Sequence, residues 1–143
     1  MTEQQKQALD KLTVYLAQRD HSPLELRTKL AKRFELEDIN FALNEANERG
    51  WMKPPEELSE QVARQLHEKC KGIVYINNYL KKKGLPEVYS DEDTEMQKAL
   101  LLKESKLKGQ SPKDYDDKTK LARYLSNRGF TYEIIQRVIH ENS

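Results

Sequence analysis

The 143-residue chain carries 25 Lys and Arg against 24 Asp and Glu, a formal net charge of +1, with 36% apolar and 34% charged residues. That length suits one domain or a short array of small repeats, and the balanced charge argues against disorder while naming no partner. The single Cys70 excludes an internal disulfide framework and a Cys-based zinc site, which fits a cytoplasmic, reducing compartment. No apolar run approaches the roughly 18 residues of a spanning helix, and the start MTEQQKQALDKL lacks the basic-then-apolar order of a signal peptide.

Spacings of three and four dominate from the first residues onward: Leu9, Leu12 and Leu16 predict a first helix. Ser22-Pro23-Leu24-Glu25 is a capping box with proline at the first helical position, so a second helix starts there and carries Leu26 and Leu30. Ile39, Leu43 and Ala46 mark a third. Gly50 can end it in a left-handed conformation, as can Gly84, Gly109 and Gly129 after later helical runs. Lys53-Pro54-Pro55 then breaks the chain, because proline drives the preceding residue out of the helical region. Pro86 is expected to open a helix of barely one turn before Ser90-Asp91-Glu92-Asp93 caps the next, which runs through Met96, Ala99, Leu100, Lys103 and Leu107. Ser111-Pro112 repeats the Ser-Pro start, and Thr131 can open the last segment.

A fixed-offset comparison unites these segments. When Leu30, Leu80 and Leu125 are aligned, Leu26, Ile76 and Leu121 stand four residues earlier, and Arg33, Lys83 and Arg128 three later. Ile39, Tyr89 and Ile134 stand nine later. Leu85 and Phe130 match at the fifth position, where repeat 1 puts Phe34 one place early. The expected fold is all-α: three tandem three-helix repeats over 1–52, 53–95 (with a short third helix) and 96–143, stacked into an elongated, curved solenoid.

Catalytic constellations are missing. His21, His67 and His140 fall in different repeats without metal-ligand spacing, and no GxSxG, HExxH, P-loop or GxGxxG pattern occurs. Cys70 has no resolving partner and reads as a free thiol. The chain is therefore expected to be no enzyme and to need no metal or cofactor.

Local charge is more informative. Arg27, Lys29, Lys32 and Arg33 mark the second helix of repeat 1; Lys71, Lys81, Lys82 and Lys83 that of repeat 2; Lys118, Lys120, Arg123 and Arg128 that of repeat 3. Complementation of the helix dipole accounts for Arg33, Lys83 and Arg128 in last turns, but not for the cations nearer the helix starts. These twelve residues are the expected partner-binding set, as one positive stripe across the second helices.

Tyr15-Leu16-Ala17-Gln18-Arg19-Asp20-His21-Ser22-Pro23-Leu24-Glu25-Leu26-Arg27-Thr28-Lys29-Leu30 resembles the characteristic segment of the RecX family, R-(D/E)-(H/Y)-S-x-x-E-L-x-x-K-L after an apolar helix end. Asn127-Arg128-Gly129-Phe130 with Ile134 and Ile135 is similar to the family's C-terminal signature, and Gly72-Ile73-Val74-Tyr75-Ile76 through Leu85 to its middle segment. Lys53-Pro54-Pro55-Glu56-Glu57-Leu58 departs from the family's acidic, Arg- and Phe-containing turn, and Tyr75 and Asn77 stand where its middle helix often has arginines. The resemblance implies a non-enzymatic regulator that lodges in the RecA–DNA filament and limits filament growth, ATPase, strand exchange and co-protease activity in DNA repair and the SOS response. The partners it implies are the RecA filament and, weakly, single- or double-stranded DNA; no membrane partner is expected from the hydropathy, and the chain is expected to be monomeric. The alternative is a stand-alone helical DNA-binding protein, which the +1 net charge disfavours.

Overall fold

The computed structural model describes residues 1–108, 110 and 112–140, and among these it holds eight helices and no strand. The order is α1 (Glu3–Gln18), α2 (Pro23–Leu30), α3 (Leu36–Glu48), α4 (Pro55–Glu68), α5 (Ile73–Lys82), α6 (Glu92–Leu107), α7 (Tyr115–Asn127) and α8 (Tyr132–His140). Contacts divide the chain into two compact units: Met1–Ser59 with Lys81–Pro86, and Glu60–Leu80 with Glu87–Ser143.

In the first unit α1 lies along α3 and touches α2. Leu12, Leu26, Leu30, Ile39, Ala42 and Ala46 are buried together, with Met52 packed against them. The Ser22 box forms as the sequence spells it: its hydroxyl accepts from Glu25 N–H at 3.1 Å, and Glu25 Oε1 accepts from Ser22 N–H at 3.1 Å. Such a cap is worth about 1 kcal/mol. Gly50 ends α3 at φ 71°, with Trp51 N–H closing on Ala46 O at 2.9 Å. Gly84 also has positive φ, and a Cβ there would stand 2.8 Å from Leu24 Cβ.

In the second unit α6, α7 and α8 pack around Ala99, Leu121, Leu125, Ile135 and Val138. Ile76 and Leu80 on α5 are also fully buried, so all three leucine or isoleucine pairs of the repeat alignment face inward. Each fully buried aliphatic side chain contributes about 1.5–3 kcal/mol. Asp91 caps α6, accepting from Thr94 N–H at 2.7 Å, and the Thr131 hydroxyl accepts from Ile134 N–H at the start of α8.

Several expectations change. No helix forms over residues 85–91, so the short third helix of repeat 2 is replaced by irregular chain. Asn77 holds that segment instead: its carboxamide donates to Val88 O at 3.1 Å and accepts from Val88 N–H at 2.9 Å. Tyr89, aligned with the buried Ile39 and Ile134, is consequently 88% exposed. The α7 start also moves. Ser111 and Gly109 lie outside the described residues, and α7 begins at Tyr115 with Asp114 accepting from Asp117 N–H at 2.8 Å. Lys108, at φ 54°, supplies the left-handed end of α6, and Cys70, at φ 57°, sits beyond α4. The one-residue slip of Phe34 has a backbone cause. Phe130 follows the left-handed Gly129 and closes on Leu125 O, five residues back, whereas Phe34 follows Arg33 and closes on Leu30 O, four back.

Candidate functional site

The twelve expected cations separate into those engaged inside the fold and those left on its surface. In the first unit, Lys29 is half-buried with Nζ 2.7 Å from His21 Nε2 and 4.9 Å from the Tyr15 ring centroid. His21 is 2% exposed, and its Nδ1 lies 2.9 Å from Arg19 O. The lysine can only donate, so Nε2 accepts and Nδ1–H donates to the carbonyl. Burial lowers the His21 pKa, and the Arg19 and Lys29 charges push the same way against the Arg19 carbonyl bond.

Lys83 is engaged as well. Its Nζ reaches Glu25 Oε2 at 3.3 Å, beside Arg19 Nη2 at 2.8 Å, while its carbonyl accepts from the Ser22 hydroxyl at 2.5 Å. Burial alone would raise the Glu25 pKa, but the bonds from Arg19, Ser22 N–H and Lys83 outweigh it and hold the carboxyl at about 2. The capping carboxylate of α2 thereby also gathers residues 81–86.

Arg27 and Lys32 remain exposed, as do Lys81 and Lys82 in the last turn of α5; none of these side chains has a hydrogen bond or ion pair among the described residues. Arg33 is exposed too, with its guanidinium 5.7 Å from the Phe34 ring.

In the second unit Arg128 faces inward. It donates from Nη2 to Lys69 O at 2.5 Å and from Nε to Cys70 O at 3.4 Å, satisfying carbonyls beyond the end of α4. Lys71 is half-buried, its Nζ 4.6 Å from the Tyr75 ring. On α7, Lys118 is half-buried and Arg123 exposed, both without a side-chain hydrogen bond or ion pair among the described residues. Lys120 pairs with Asp116 at 3.3 Å, an exposed (i, i+4) contact of about 0.3–0.5 kcal/mol that a partner can displace.

Sequence reasoning missed a buried polar cluster in this unit. Lys98, at 6% exposure, donates to Lys71 O at 2.6 Å, to His67 Nδ1 at 2.8 Å and to Glu95 Oε2 at 2.5 Å. Glu95 accepts further bonds from Ile73 N–H and the Ser90 hydroxyl, both at 2.8 Å. Burial lowers the His67 pKa, the Lys98 charge adds to this, and Glu95 opposes it. Lys103, also buried, donates to Val138 O at 3.0 Å in the last turn of α8. The available signal was the (i, i+3) acid and lysine at 95 and 98 on the face that also bears Ala99 and Leu102. Every partner here belongs to the protein itself, so the cluster acts as a structural clasp.

Among the described residues, no helix is long and apolar enough to cross a membrane, and no three His, Cys, Asp or Glu side chains are grouped to hold a metal.

Residues 93–139 match the family model described as RecX, third three-helix domain. The chain is 32% identical over 139 residues to Regulatory protein RecX of Chlorobaculum tepidum, covering 92% of this chain and 86% of that one. It is 28% identical over 141 residues to Regulatory protein RecX of Legionella pneumophila, covering 94% and 93%. In structure it is similar to RecX from Lactobacillus salivarius, with a TM-score of 0.83 at 21% identity over 99% of this chain and 97% of the other. A second crystal structure, of regulatory protein RecX, gives a TM-score of 0.81 at 16% identity over 97% of this chain and 74% of the other.

Proposed function

Because the chain belongs to the RecX family of regulatory proteins, we propose that it is a non-enzymatic, cytoplasmic inhibitor of RecA. It binds the RecA–DNA filament as a monomer and limits filament growth, and with it ATP hydrolysis, strand exchange and co-protease activity. The observation that carries this reading is the match to relatives named Regulatory protein RecX, which runs nearly end to end. Three tandem repeats, divided near residues 52 and 95, would each present a short basic second helix, and several weak contacts to neighbouring protomers then act together.

In this reading Arg27, Lys32, Arg33, Lys81, Lys82, Lys118, Lys120 and Arg123 meet acidic RecA surface or DNA phosphate. Lys29, Lys83 and Arg128, from the same sequence pattern, hold the fold, and Lys71 lies half-buried against the Tyr75 ring. Direct DNA affinity stays low, since a chain of net charge +1 neutralises few net phosphates and releases few counterions. Cosedimentation tests the proposal: the chain should pellet with RecA filaments on single-stranded DNA at salt where DNA alone does not retain it. Equal retention by naked DNA would favour the autonomous DNA binder.

A further inference from the structure

An open groove of about 440 Å³ in the first unit lies between the first turns of α2, the C-terminal half of α3 and residues 52–55. Pro23, Leu43, Met52, Pro54 and Pro55 make its walls apolar. Leu43 and Met52 belong to or pack against the α1–α3 core, and the three prolines have fixed φ, so the groove is formed before anything enters it. Its polar groups are Arg27, Asn44, Asn47 and Lys53, with no carboxylate and no aromatic ring among the lining residues. Lys53 is held by Asp20 at 3.0 Å, whereas Arg27 has no ion pair among the described residues. Asn44 and Asn47 are exposed, one turn apart on α3, and their carboxamides have no hydrogen bond among the described residues.

We propose that this groove binds an extended segment of a partner protein, one that sets an apolar side chain beside a carboxylate. A carboxamide offers two donors and an acceptor, the complement of a peptide N–H and C=O. Side chains at (i, i+3) on a helix stand about 5–6 Å apart, close to the spacing of about 6.6–6.8 Å between alternate residues of an extended chain. Asn44 and Asn47 therefore match successive backbone positions on one edge of such a segment. Its apolar side chain enters between the prolines, Leu43 and Met52, and its carboxylate meets the planar fork of Arg27 in a bidentate pair. A single-stranded nucleic acid fits worse: the groove has no ring for base stacking, and Arg27 offers one phosphate contact where such binders use a cationic track.

This proposal deepens the proposed function by giving the partner's chemistry at Arg27, and it rests on the reading that the chain works by binding a protein. The test uses the full chain, isotope-labelled for NMR, and three probes: an acetylated and amidated octapeptide of alternating Glu and Leu, its Lys-for-Glu counterpart, and a 20-nucleotide oligo-dT. The Glu peptide should produce saturable shifts at Arg27, Asn44 and Asn47, including the carboxamide NH₂ signals. Arg27→Glu should weaken its binding by at least about tenfold, since turning a charge pair repulsive costs more than one factor of ten in affinity, and Asn44→Ala with Asn47→Ala should also weaken it, all with unchanged circular dichroism. Equal binding of the Lys peptide, no shift at the groove with the Glu peptide, stronger groove shifts with oligo-dT, or an unaffected Arg27→Glu would each overturn the assignment. The peptide measurement contains no RecA. Groove binding without an effect on RecA would therefore overturn only the regulator reading, and RecA inhibition without groove binding only this one.

Discussion

Gly72 is pressed so closely against Gly129 that a Cβ on Gly72 would stand 2.3 Å from the Gly129 carbonyl carbon and oxygen. Two backbone bonds fix the approach: Gly72 N–H to Arg128 O at 2.8 Å, and Val74 N–H to Gly129 O at 2.9 Å. The turn before α5 is thus clipped to the turn before α8, and the Arg128 side chain reinforces the clip. Gly72→Ala must push backbone away from backbone, and should cost at least about 2–3 kcal/mol, the scale of overpacking plus a lost buried bond. Urea unfolding checks this, and a midpoint equal to that of the parent would contradict the clip.

The Glu95 and Lys98 side chains are buried together within a set of bonds that leaves no buried side-chain polar atom unpartnered among the described residues. Lys98→Met leaves a buried carboxylate without its cation, and should destabilise by about 3–5 kcal/mol. Glu95→Leu combined with Lys98→Met removes both charges, and should recover part of the loss. Thermal unfolding of the single and double variants measures both effects; a single variant as stable as the parent would sink the clasp.

Acid should weaken the fold in two windows. His21 and His67 have folded pKa values below the ordinary 6.5, so the folded state favours the neutral rings; their contribution is complete above about pH 6.5 and declines as pH falls through that value. Glu25 is lowered from 4.5 to about 2, so its contribution is complete above about pH 4.5 and is lost as pH falls toward 2. Urea midpoints measured across this range should drop in both windows. In Glu25→Gln the lower drop should shrink, while stability at neutral pH falls by about 1–2 kcal/mol.

Cations on the surface and cations inside the fold should respond differently to substitution. Paired reversal of Arg27 and Lys32, of Lys81 and Lys82, or of Lys120 and Arg123 should shift stability by no more than about 0.5 kcal/mol, as exposed substitutions do. Each should nevertheless weaken RecA inhibition, increasingly as salt screens the remaining attraction beyond about 8 Å. Arg128→Ala should instead lower the melting temperature, because two carbonyls lose their donor. Three reversed pairs that inhibit as well as the parent would leave these cations as a solvated face.

What the sequence made legible was local chemistry. Ser22-Pro23-Leu24-Glu25 spells out a cap whose partners lie three residues apart, and the pairs at 26 and 30, 76 and 80, and 121 and 125 announce buried faces through helical spacing. Gly50, Gly84 and Gly129 end their segments as expected. Tyr89 misled because its repeat position presupposed a helix that Asn77 replaces with a clamp on Val88. Arg128 and Lys83 looked like surface cations because their acceptors, at Lys69, Cys70 and Glu25, lie 58 or 59 residues away. Lys98 and Lys103 were hidden for the same reason, since a buried lysine is betrayed only by the carbonyls it reaches.

The most direct test of the central claim is to titrate the chain into RecA assembled on single-stranded DNA while following ATP hydrolysis and the RecA retained on the DNA. Substoichiometric chain should suppress hydrolysis and reduce retained RecA, at a salt concentration where the chain alone holds no DNA. Unchanged hydrolysis and retention at stoichiometric chain, with tight binding of the chain to DNA by itself, would contradict the account.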